Sequence, residues 1–250
     1  MKAKLAKKRL DELLVERELA ESIHKAQAMI LAGEVQVHGA RAGKVGTRYA
    51  EDARIEITSR TQKYASRGGI KLEGALADFA IDPTGKICAD VGSSTGGFTD
   101  CLLQQGAARV YAVDVSVDQL AWKLRQDSRV VPVERNAREL RLQDLGELAK
   151  LIVVDVSFIS AGKILPAVAR VAEPAADLLI LVKPQFELPK QSVGRGGIVR
   201  DHKLHEQAIA AVREAGQNAG LEILGMRPSR LPGAEGNQEY FLHARKKPIG

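Results

Sequence analysis

The sequence predicts an α/β protein in two parts: a small N-terminal α+β domain, then a larger domain built on a mostly parallel sheet of seven strands. From residue 69 onward, apolar strand patterns alternate with helical patterns, an order typical of a parallel sheet covered by helices on both faces. Before residue 59, apolar residues follow two short helices and then a few alternating strands. We expect the domains at 1–58 and 69–250, with the polar stretch 59–68 as the linker.

Two helices and a small sheet are expected in the first domain. Apolar side chains recur at helical spacing in 10–14 and again in 23–30, and the Ser22 hydroxyl is placed to cap the second helix. Apolar and polar residues then alternate in 35–37 and in 55–57, the pattern of strands with one buried face.

Seven strands are expected in the larger domain, with four helices between them. The strands are predicted at Lys86–Val91, Arg109–Val115, Val130–Val133, Leu151–Val156, Leu178–Val182, Leu221–Met226 and Glu239–His243. The helices are predicted at Thr95–Gln105, Val117–Gln126, Ser160–Val171 and His202–Ala219. Because a short connection joins the last two strands, we expect them to pair antiparallel at one edge of the sheet. Trp122 is expected to be a packing residue of an amphipathic helix.

Composition and charge restrict the class of protein. No uninterrupted apolar run approaches the roughly 20 residues that span a bilayer, and the basic N-terminus lacks the apolar core of a signal peptide. We therefore expect a cytoplasmic protein without stable membrane association. The formal charge of +6 favours a nucleic-acid partner, because Lys and Arg release counterions from phosphates. Cys88 and Cys101 lack the Cys/His spacing of a zinc site, so no metal is expected.

A glycine-rich turn, residues 90–98, follows the first strand of the larger domain. In Rossmann-like sheets, ligands bind beyond the carboxyl ends of the strands. Gly92 permits a sharp turn there, while Gly96 and Gly97 allow the backbone to approach a ligand at the start of a helix. The candidate cofactor-binding residues are Asp90, Gly92, Ser93, Ser94, Gly96, Gly97, Phe98, Asp114, Val115 and Asn136.

The spacing within this turn favours S-adenosylmethionine (SAM) over a dinucleotide. The dinucleotide fingerprint is G-x-G-x-x-G, whereas three residues separate Gly92 from Gly96 here. Asp90 would repel a pyrophosphate but suits the ammonium group of SAM. Asp114, at the end of the next strand, can accept hydrogen bonds from ribose hydroxyls. Asn136 can either bond the adenine edge or cap a helix.

Four charged residues stand where this topology would bring them together. Lys71 opens the first helix of the larger domain, and Asp155 and Lys183 end neighbouring strands. Glu239 begins the last strand. A charged group at the exit of an apolar strand has to face a cleft or a partner. In order and context these residues resemble the Lys-Asp-Lys-Glu tetrad of the FtsJ-like ribose 2′-O-methyltransferases, which implies that they are catalytic.

The first domain carries a second resemblance. The runs Arg9–Leu14 and Ile30–Gly39, with Ser22 between them, are similar to the S4 RNA-binding domain. That family binds structured RNA through a two-helix face. An arginine usually follows the capping serine in the family, whereas this chain has Ile23 there, followed by His24 and Lys25.

The joined architecture resembles the TlyA family, also labelled hemolysin A. The similarity rests on Ser66–Leu72, Asp90–Asp100, Asp155–Ser160 and Val182–Glu187. It implies methylation of a ribose 2′-hydroxyl, typically of cytidine, in ribosomal RNA or ribosomal subunits. The family's linker usually carries an Arg-x-Trp-Val element, whereas this chain has Gln-Lys-Tyr-Ala at 62–65.

Roles for the tetrad follow from the chemistry of the implied acceptor. A ribose hydroxyl is a weak nucleophile, so its proton must leave as the new bond forms. Lys183 is the candidate base. Lys71 would favour its neutral form, since like charges repel, and would orient the hydroxyl. Asp155 would position Lys183, and Glu239 would fix Lys71.

Cationic side chains are the candidate RNA contacts. They are Lys4, Lys7, Lys8, Arg9, His24, Lys25, Arg41, Lys44, Arg67, Arg195 and Arg200.

Three other functions are weighed against ribose methylation. A base-amine methyltransferase commonly carries an Asp/Asn-Pro-Pro-aromatic turn, but the sequence after the fourth strand reads Asp-Val-Ser-Phe at 155–158. A ribosome-assembly factor without turnover would not need the tetrad. A membrane-active hemolysin would need an apolar inserting segment.

Overall fold

The computed structural model describes residues 7–57, 63–194, 196–233 and 236–248. Lys4, Arg195 and residues 59–62 of the predicted linker lie outside these ranges. Contacts divide the chain into two compact units, Met1–Gln62 and Lys63–Gly250.

Residues 7–57, the described part of the first unit, form two helices and five short strands. They are β1 Lys7–Arg9, α1 Leu10–Glu16, α2 Ile23–Ala32, β2 Val35–Val37, β3 Ala40–Arg41, β4 Arg48–Ala50 and β5 Ile55–Ile57. β1 pairs antiparallel with β4, and β2 pairs antiparallel with both β3 and β5. The Ser22 hydroxyl accepts a hydrogen bond from the Lys25 amide at 3.2 Å and caps α2. Leu10, Leu14 and Ile30 pack in the core between the helices and the sheet.

The second unit is an α/β domain whose described residues form one sheet of seven strands. Its elements are α3 Gly68–Asp78, β6 Ile87–Val91, α4 Gly97–Gln104, β7 Arg109–Asp114, α5 Trp122–Arg125, β8 Val130–Glu134, α6 Leu142–Leu145, β9 Ala149–Val154, α7 Leu165–Val171, β10 Ala172–Val182, α8 Pro184–Glu187, α9 His202–Asn218, β11 Leu221–Pro228 and β12 Tyr240–Lys246. Within the described ranges, no helix is long and apolar enough to cross a membrane.

The sheet confirms the predicted fold class. Its strand order is β11-β12-β10-β9-β6-β7-β8. β10, β9, β6, β7 and β8 run parallel, and β12 pairs antiparallel with both β10 and β11. The expected antiparallel edge is therefore present.

Helices cover both faces of this sheet. On one face α7 and α9 bury residues such as Val168 and Val212 against Val91. On the other face α3 and α4 bury Leu72 and Leu102. A parallel sheet buried on both sides leaves its strand ends as the place where polar groups can gather.

Part of the predicted linker belongs to the second unit. Tyr64 is only 1% exposed, and the Ala65 amide donates a hydrogen bond to Asp100 Oδ2 at 2.7 Å. A single buried aromatic side chain anchors this stretch, so its lack of apolar periodicity was a poor guide to its position.

Two predicted helices are interrupted. Val117–Gln126 is a 3₁₀ turn at Val117–Gln119 followed by α5, and the Trp122 side chain is 66% exposed, so its predicted packing role is wrong. Ser160–Val171 is likewise a 3₁₀ turn at Ala161–Lys163 followed by α7. α7 has a proline in its first turn, a position that tolerates the missing amide N–H.

Candidate active site

The candidate site lies where several parallel strands of the second unit end. The glycine-rich turn, residues 90–98, includes the end of β6, and Asp114 is the last residue of β7. Asp155 follows β9, and Lys183 follows β10. Parallel strands present their carboxyl ends at the same edge, so the topology gathers side chains that are far apart in sequence.

Two adjoining cavities open at this edge. The first, of about 300 Å³, is lined by Ser66, Arg67, Gly68, Lys71, Gly92, Ser93, Ser94, Thr95, Gly97, Phe98, Asp155, Ser157, Lys183, Pro232 and Gly233. The second, of about 360 Å³, is lined by Gly92, Ser94, Val113, Asp114, Val115, Gln119, Arg135, Asn136, Ala137, Asp155, Val156, Ser157, Phe158, Ile159 and Ile164. The cavities share Gly92, Ser94, Asp155 and Ser157, so one elongated ligand could occupy both.

Two lysines that line the first cavity are each paired with a carboxylate. Lys71 Nζ lies 2.6 Å from Glu239 Oε2, with side-chain exposures of 12% and 2%. Lys183 Nζ lies 2.6 Å from Asp155 Oδ1 and donates a hydrogen bond to the Ser157 hydroxyl at 2.9 Å. Each ammonium is thus held by an acidic partner while it faces the same cavity. The structure brings the four predicted catalytic residues together as two pairs.

The glycine-rich turn closes tightly over the strand ends. Gly92 has a φ of 90°, and a Cβ there would lie 2.2 Å from the Asp155 carbonyl oxygen. Only glycine fits this close approach between the turn and the residue that follows β9. Gly96 precedes α4, and the α4 residues Gly97 and Phe98 form part of the first cavity wall.

Asp90 is a fully buried residue of β6. Its Oδ2 accepts a hydrogen bond from the Thr99 hydroxyl at 2.6 Å. Burial raises the pKa of Asp90 to about 7, and the carboxylates of Asp155 and Asp114 add to this rise. Asp90 Oδ1 and Ser93 Oγ are buried without a hydrogen-bond partner in the described part of the chain. Ser93 lines the first cavity, whereas Asp90 and Gly96 line neither of the two cavities.

The second cavity contains the remaining predicted cofactor residues. Asp114 Oδ2 accepts a hydrogen bond from the Ser94 amide at 2.9 Å, and Asp114 also lines the cavity wall. The Val115 side chain is 66% exposed beside it. Asn136 caps the 3₁₀ turn Ala137–Glu139 by accepting from the Arg138 amide at 3.1 Å. Asn136 also lines the cavity, so its capping role does not remove it from the site.

The predicted RNA-binding cations are distributed over both units. Lys8 pairs with Glu16 and Glu51, and Arg9 pairs with the buried Asp11. The exposed ones in the first unit are Lys7, His24, Lys25, Arg41 and Lys44. In the second unit, Arg67 lines the first cavity, and Arg200 is exposed just before α9.

Several lining residues have no assigned role from the sequence. Ser157 is the clearest, because its hydroxyl holds Lys183. Its position two residues beyond Asp155, at the same sheet edge, was the available signal. Phe158 has a φ of 65° and a side chain that is 92% exposed beside the second cavity. Gly233 comes from the loop before β12, and nothing local in the sequence points to it.

Comparison with known proteins agrees with this geometry. Residues 64–246 match the FtsJ-like methyltransferase family, and residues 8–55 match the S4 domain. The chain is 45% identical over 239 residues to the 16S/23S rRNA (cytidine-2′-O)-methyltransferase TlyA of Mycobacterium tuberculosis, covering 95% of this chain and 89% of the relative. It is 41% identical over 237 residues to hemolysin A of Brachyspira hyodysenteriae, covering 94% of this chain and 98% of the relative.

A solved structure extends the likeness to three dimensions. It is described as a hemolysin from Streptococcus thermophilus, is 38% identical, and matches with a TM-score of 0.74 over 97% of this chain and 90% of that chain. Sequence and fold thus agree over nearly the whole length. The chain belongs to the FtsJ-like methyltransferase family and carries an S4 domain ahead of its methyltransferase domain.

Proposed function

We propose that this protein transfers a methyl group from SAM to the ribose 2′-hydroxyl of a cytidine in ribosomal RNA. The proposal rests on one observation: Lys71 and Lys183, each paired with a carboxylate, line a single cavity that the glycine-rich turn also lines. Such a cavity can hold a methyl donor and a weakly acidic hydroxyl side by side. The relative from Mycobacterium tuberculosis bears this activity in its name.

The residues at the strand ends fit SAM. The unpartnered oxygens of Asp90 and Ser93 suit the amino-acid end of the cofactor, and Asp114 suits its ribose hydroxyls. Val115 and Asn136 would flank the adenine. When bound, SAM supplies an electrophilic methyl group.

Lys183 is the proposed base for the ribose hydroxyl. As the neutral amine, its Nζ accepts the hydroxyl proton while the oxygen attacks. Asp155 and Ser157 fix Nζ on the cavity wall, and Asp155 faces the ammonium that results. Lys71, fixed by Glu239, directs its N–H groups toward the substrate oxygen.

RNA as the substrate is supported by both units. The first matches the S4 domain, and the whole chain carries a formal charge of +6. Exposed cations such as Lys25 and Lys44 are proposed to contact phosphates. Arg67 brings a further cation to the cavity itself.

Transfer of labelled methyl groups tests the proposal. Purified protein is incubated with methyl-labelled SAM and ribosomal subunits, and the RNA is digested to nucleosides and separated by chromatography. We expect the label in 2′-O-methylcytidine. Label on a base would contradict the ribose assignment, and transfer to neither subunit would favour a role in assembly without turnover.

The role of Lys183 is tested by a matched pair of variants. Lys183→Ala removes the base, so we expect the methylation rate to fall by about a hundredfold or more. Lys150→Ala is the control, since Lys150 is an exposed lysine near the start of β9. SAM binding, measured by calorimetry, is expected to persist in both variants. A normal rate for Lys183→Ala would overturn the assignment.

A further inference from the structure

Asn237 is a buried polar residue two positions before Glu239. Its side chain is 3% exposed. It lies on the connection between β11 and β12, which also supplies Gly233 to the wall of the first cavity. Burial of an amide is costly unless its donor and its acceptor are both satisfied, so the contacts of Asn237 indicate what it holds.

The Asn237 side chain binds the backbone of the turn that precedes α9. This segment is called the 194–200 turn, of which Gly194 and residues 196–200 are described. Asn237 Oδ1 accepts a hydrogen bond from the Val199 amide at 3.0 Å, and Asn237 Nδ2 donates one to the Gly197 carbonyl at 2.9 Å. One side chain thus satisfies a donor and an acceptor of the same turn, much as a neighbouring strand would.

The Asn237 backbone fixes the cavity wall. Its carbonyl accepts a hydrogen bond from the Gly233 amide at 2.8 Å. Gly233 lies directly against the carboxylate that holds Lys71, since a Cβ on Gly233 would lie 2.0 Å from Glu239 Oε1. Any shift of Asn237 would therefore be transmitted to Gly233 and to Glu239.

A buried histidine also contacts the same turn. His205 is 7% exposed, and its Nε2 lies 2.8 Å from the Val199 carbonyl oxygen. Its Nδ1 lies 2.8 Å from the hydroxyl of Tyr240, the residue after Glu239. The Val199 amide is therefore held by Asn237, and its carbonyl is held by His205. His205 in turn contacts Tyr240, the first residue of β12.

We infer that Asn237 is a positioning residue for methyl transfer to RNA. It locks the 194–200 turn and the Gly233 wall into one arrangement, and it thereby sets the place of Glu239 and Lys71. Its described hydrogen bonds reach the 194–200 turn and Gly233, and none of them involves the glycine-rich turn at 90–98. Asn237 therefore acts on the acceptor and the catalytic step, and cofactor binding does not depend on it. This inference rests on the proposed function.

Asn237→Asp tests the inference with almost no change of shape. The carboxylate still accepts from the Val199 amide, but its second oxygen faces the Gly197 carbonyl and cannot donate. We expect kcat to fall by about tenfold to a hundredfold, while the dissociation constant for SAM stays unchanged. The ratio of variant to wild-type kcat should rise as the pH falls toward the pKa of the introduced carboxyl, because the protonated acid can again donate. A residue that only stabilised the fold would leave kcat of the folded variant equal to that of the wild type at every pH.

Asn218→Asp is the matched control, because Asn218 is an exposed asparagine at the end of α9. Its kcat is expected to equal that of the wild type at every pH. A normal kcat for Asn237→Asp, or a kcat ratio that does not change with pH, would overturn the inference.

Hydrogen exchange gives a readout that does not depend on activity. In Asn237→Ala the Val199 amide loses its acceptor, so its exchange should accelerate at least tenfold, about the effect of removing one buried hydrogen bond. Unchanged exchange at Val199 would overturn the inference even in an active enzyme. Absence of RNA methylation by the wild-type protein would instead defeat the proposed function, and the two failures are therefore distinguishable.

Discussion

Glu239 and Lys71 meet in a place that water scarcely reaches. Glu239 is 2% exposed, and the exposed fraction of the Lys71 side chain is 12%. Glu239→Gln keeps the shape and one acceptor but removes the charge that holds the ammonium. We expect the single-turnover rate of RNA methylation to fall about tenfold or more, with SAM affinity unchanged. Glu222→Gln, at an exposed position of β11, serves as the control and should behave as wild type.

Asp90 should make stability depend on pH. Its pKa in the folded chain is raised to about 7 by burial, whereas an unfolded chain loses this proton near pH 4, roughly. Between these values the folded state binds the extra proton, so the Asp90 contribution to stability declines as the pH rises and is constant above about 7.

Asp90→Asn should remove this dependence. Thermal unfolding followed at several pH values is expected to show the variant gaining on the wild type from acid to neutral pH. Parallel curves for the two proteins would count against a buried, protonated Asp90.

From the sequence, residues that line the first cavity can be singled out only where a local pattern marks them. Asp155 and Lys183 stand out because a charge interrupts an apolar strand at its exit. No local pattern distinguishes Gly233, because its close contact with Glu239 arises only in the folded chain. Trp122 misleads because α5 has only four residues, too few for the apolar pattern to show which side faces the core.

The glycine-rich turn depends on a close backbone approach that a substitution can probe. Gly92→Ala places a methyl group against the Asp155 carbonyl in a left-handed backbone. Gly146→Ala is the matched control, because Gly146 has a φ of 81° but nothing near its missing Cβ. We expect the control to lose about 1 kcal/mol in urea unfolding, from backbone strain alone.

Gly92→Ala should lose about 1–3 kcal/mol more than the control. It should also bind SAM more weakly, as measured by calorimetry. Equal losses for the two variants would show that the contact with the residue after β9 is unimportant.

All seven predicted strands of the second unit are present, but their limits shift where polar residues interrupt the pattern. β10 starts at Ala172, although the apolar run begins only at Leu178. Its early part is aligned by pairing with β9, where Ala172 lies opposite Ala149 before a register shift. Pairing across strands is a tertiary effect, and alternation along one strand does not reveal it.

The excess of positive charge on the chain predicts salt-sensitive binding to RNA. Lys25 and Lys44 are exposed in the first unit. The double variant Lys25→Ala/Lys44→Ala should bind ribosomal RNA more weakly, and its salt dependence should be shallower by about one unit of slope for each phosphate that is no longer neutralised. Arg54→Ala removes a cation that already pairs with Glu56 and is the control. The measurement is filter binding over a range of salt concentrations. Equal salt-dependence slopes for the wild type, the double variant and the control would refute binding of phosphates by these lysines.

The sequence predicts the order of the two domains and the chemistry of the second. It is a poorer guide to the boundary between them. The stretch 63–67 looks like a linker because it lacks an apolar period. Its position is set by Tyr64, whose ring lies so close to Gly69 that a Cβ there would be 2.3 Å from it. This single buried contact, rather than the composition of the five residues, determines that the stretch packs with the second unit.

The exposed indole of Trp122 has a spectroscopic consequence. The chain contains one tryptophan, so its intrinsic emission reports from α5 alone. Because the indole ring is already exposed to solvent in the folded protein, unfolding should shift the emission wavelength only slightly. The emission wavelength would therefore be an insensitive measure of unfolding. In the same short helix, however, Leu124 packs against Gly96 of the glycine-rich turn. Binding of SAM at this turn should therefore change the intensity of the Trp122 emission. Cofactor binding could then be followed by the intrinsic fluorescence of the unlabelled protein.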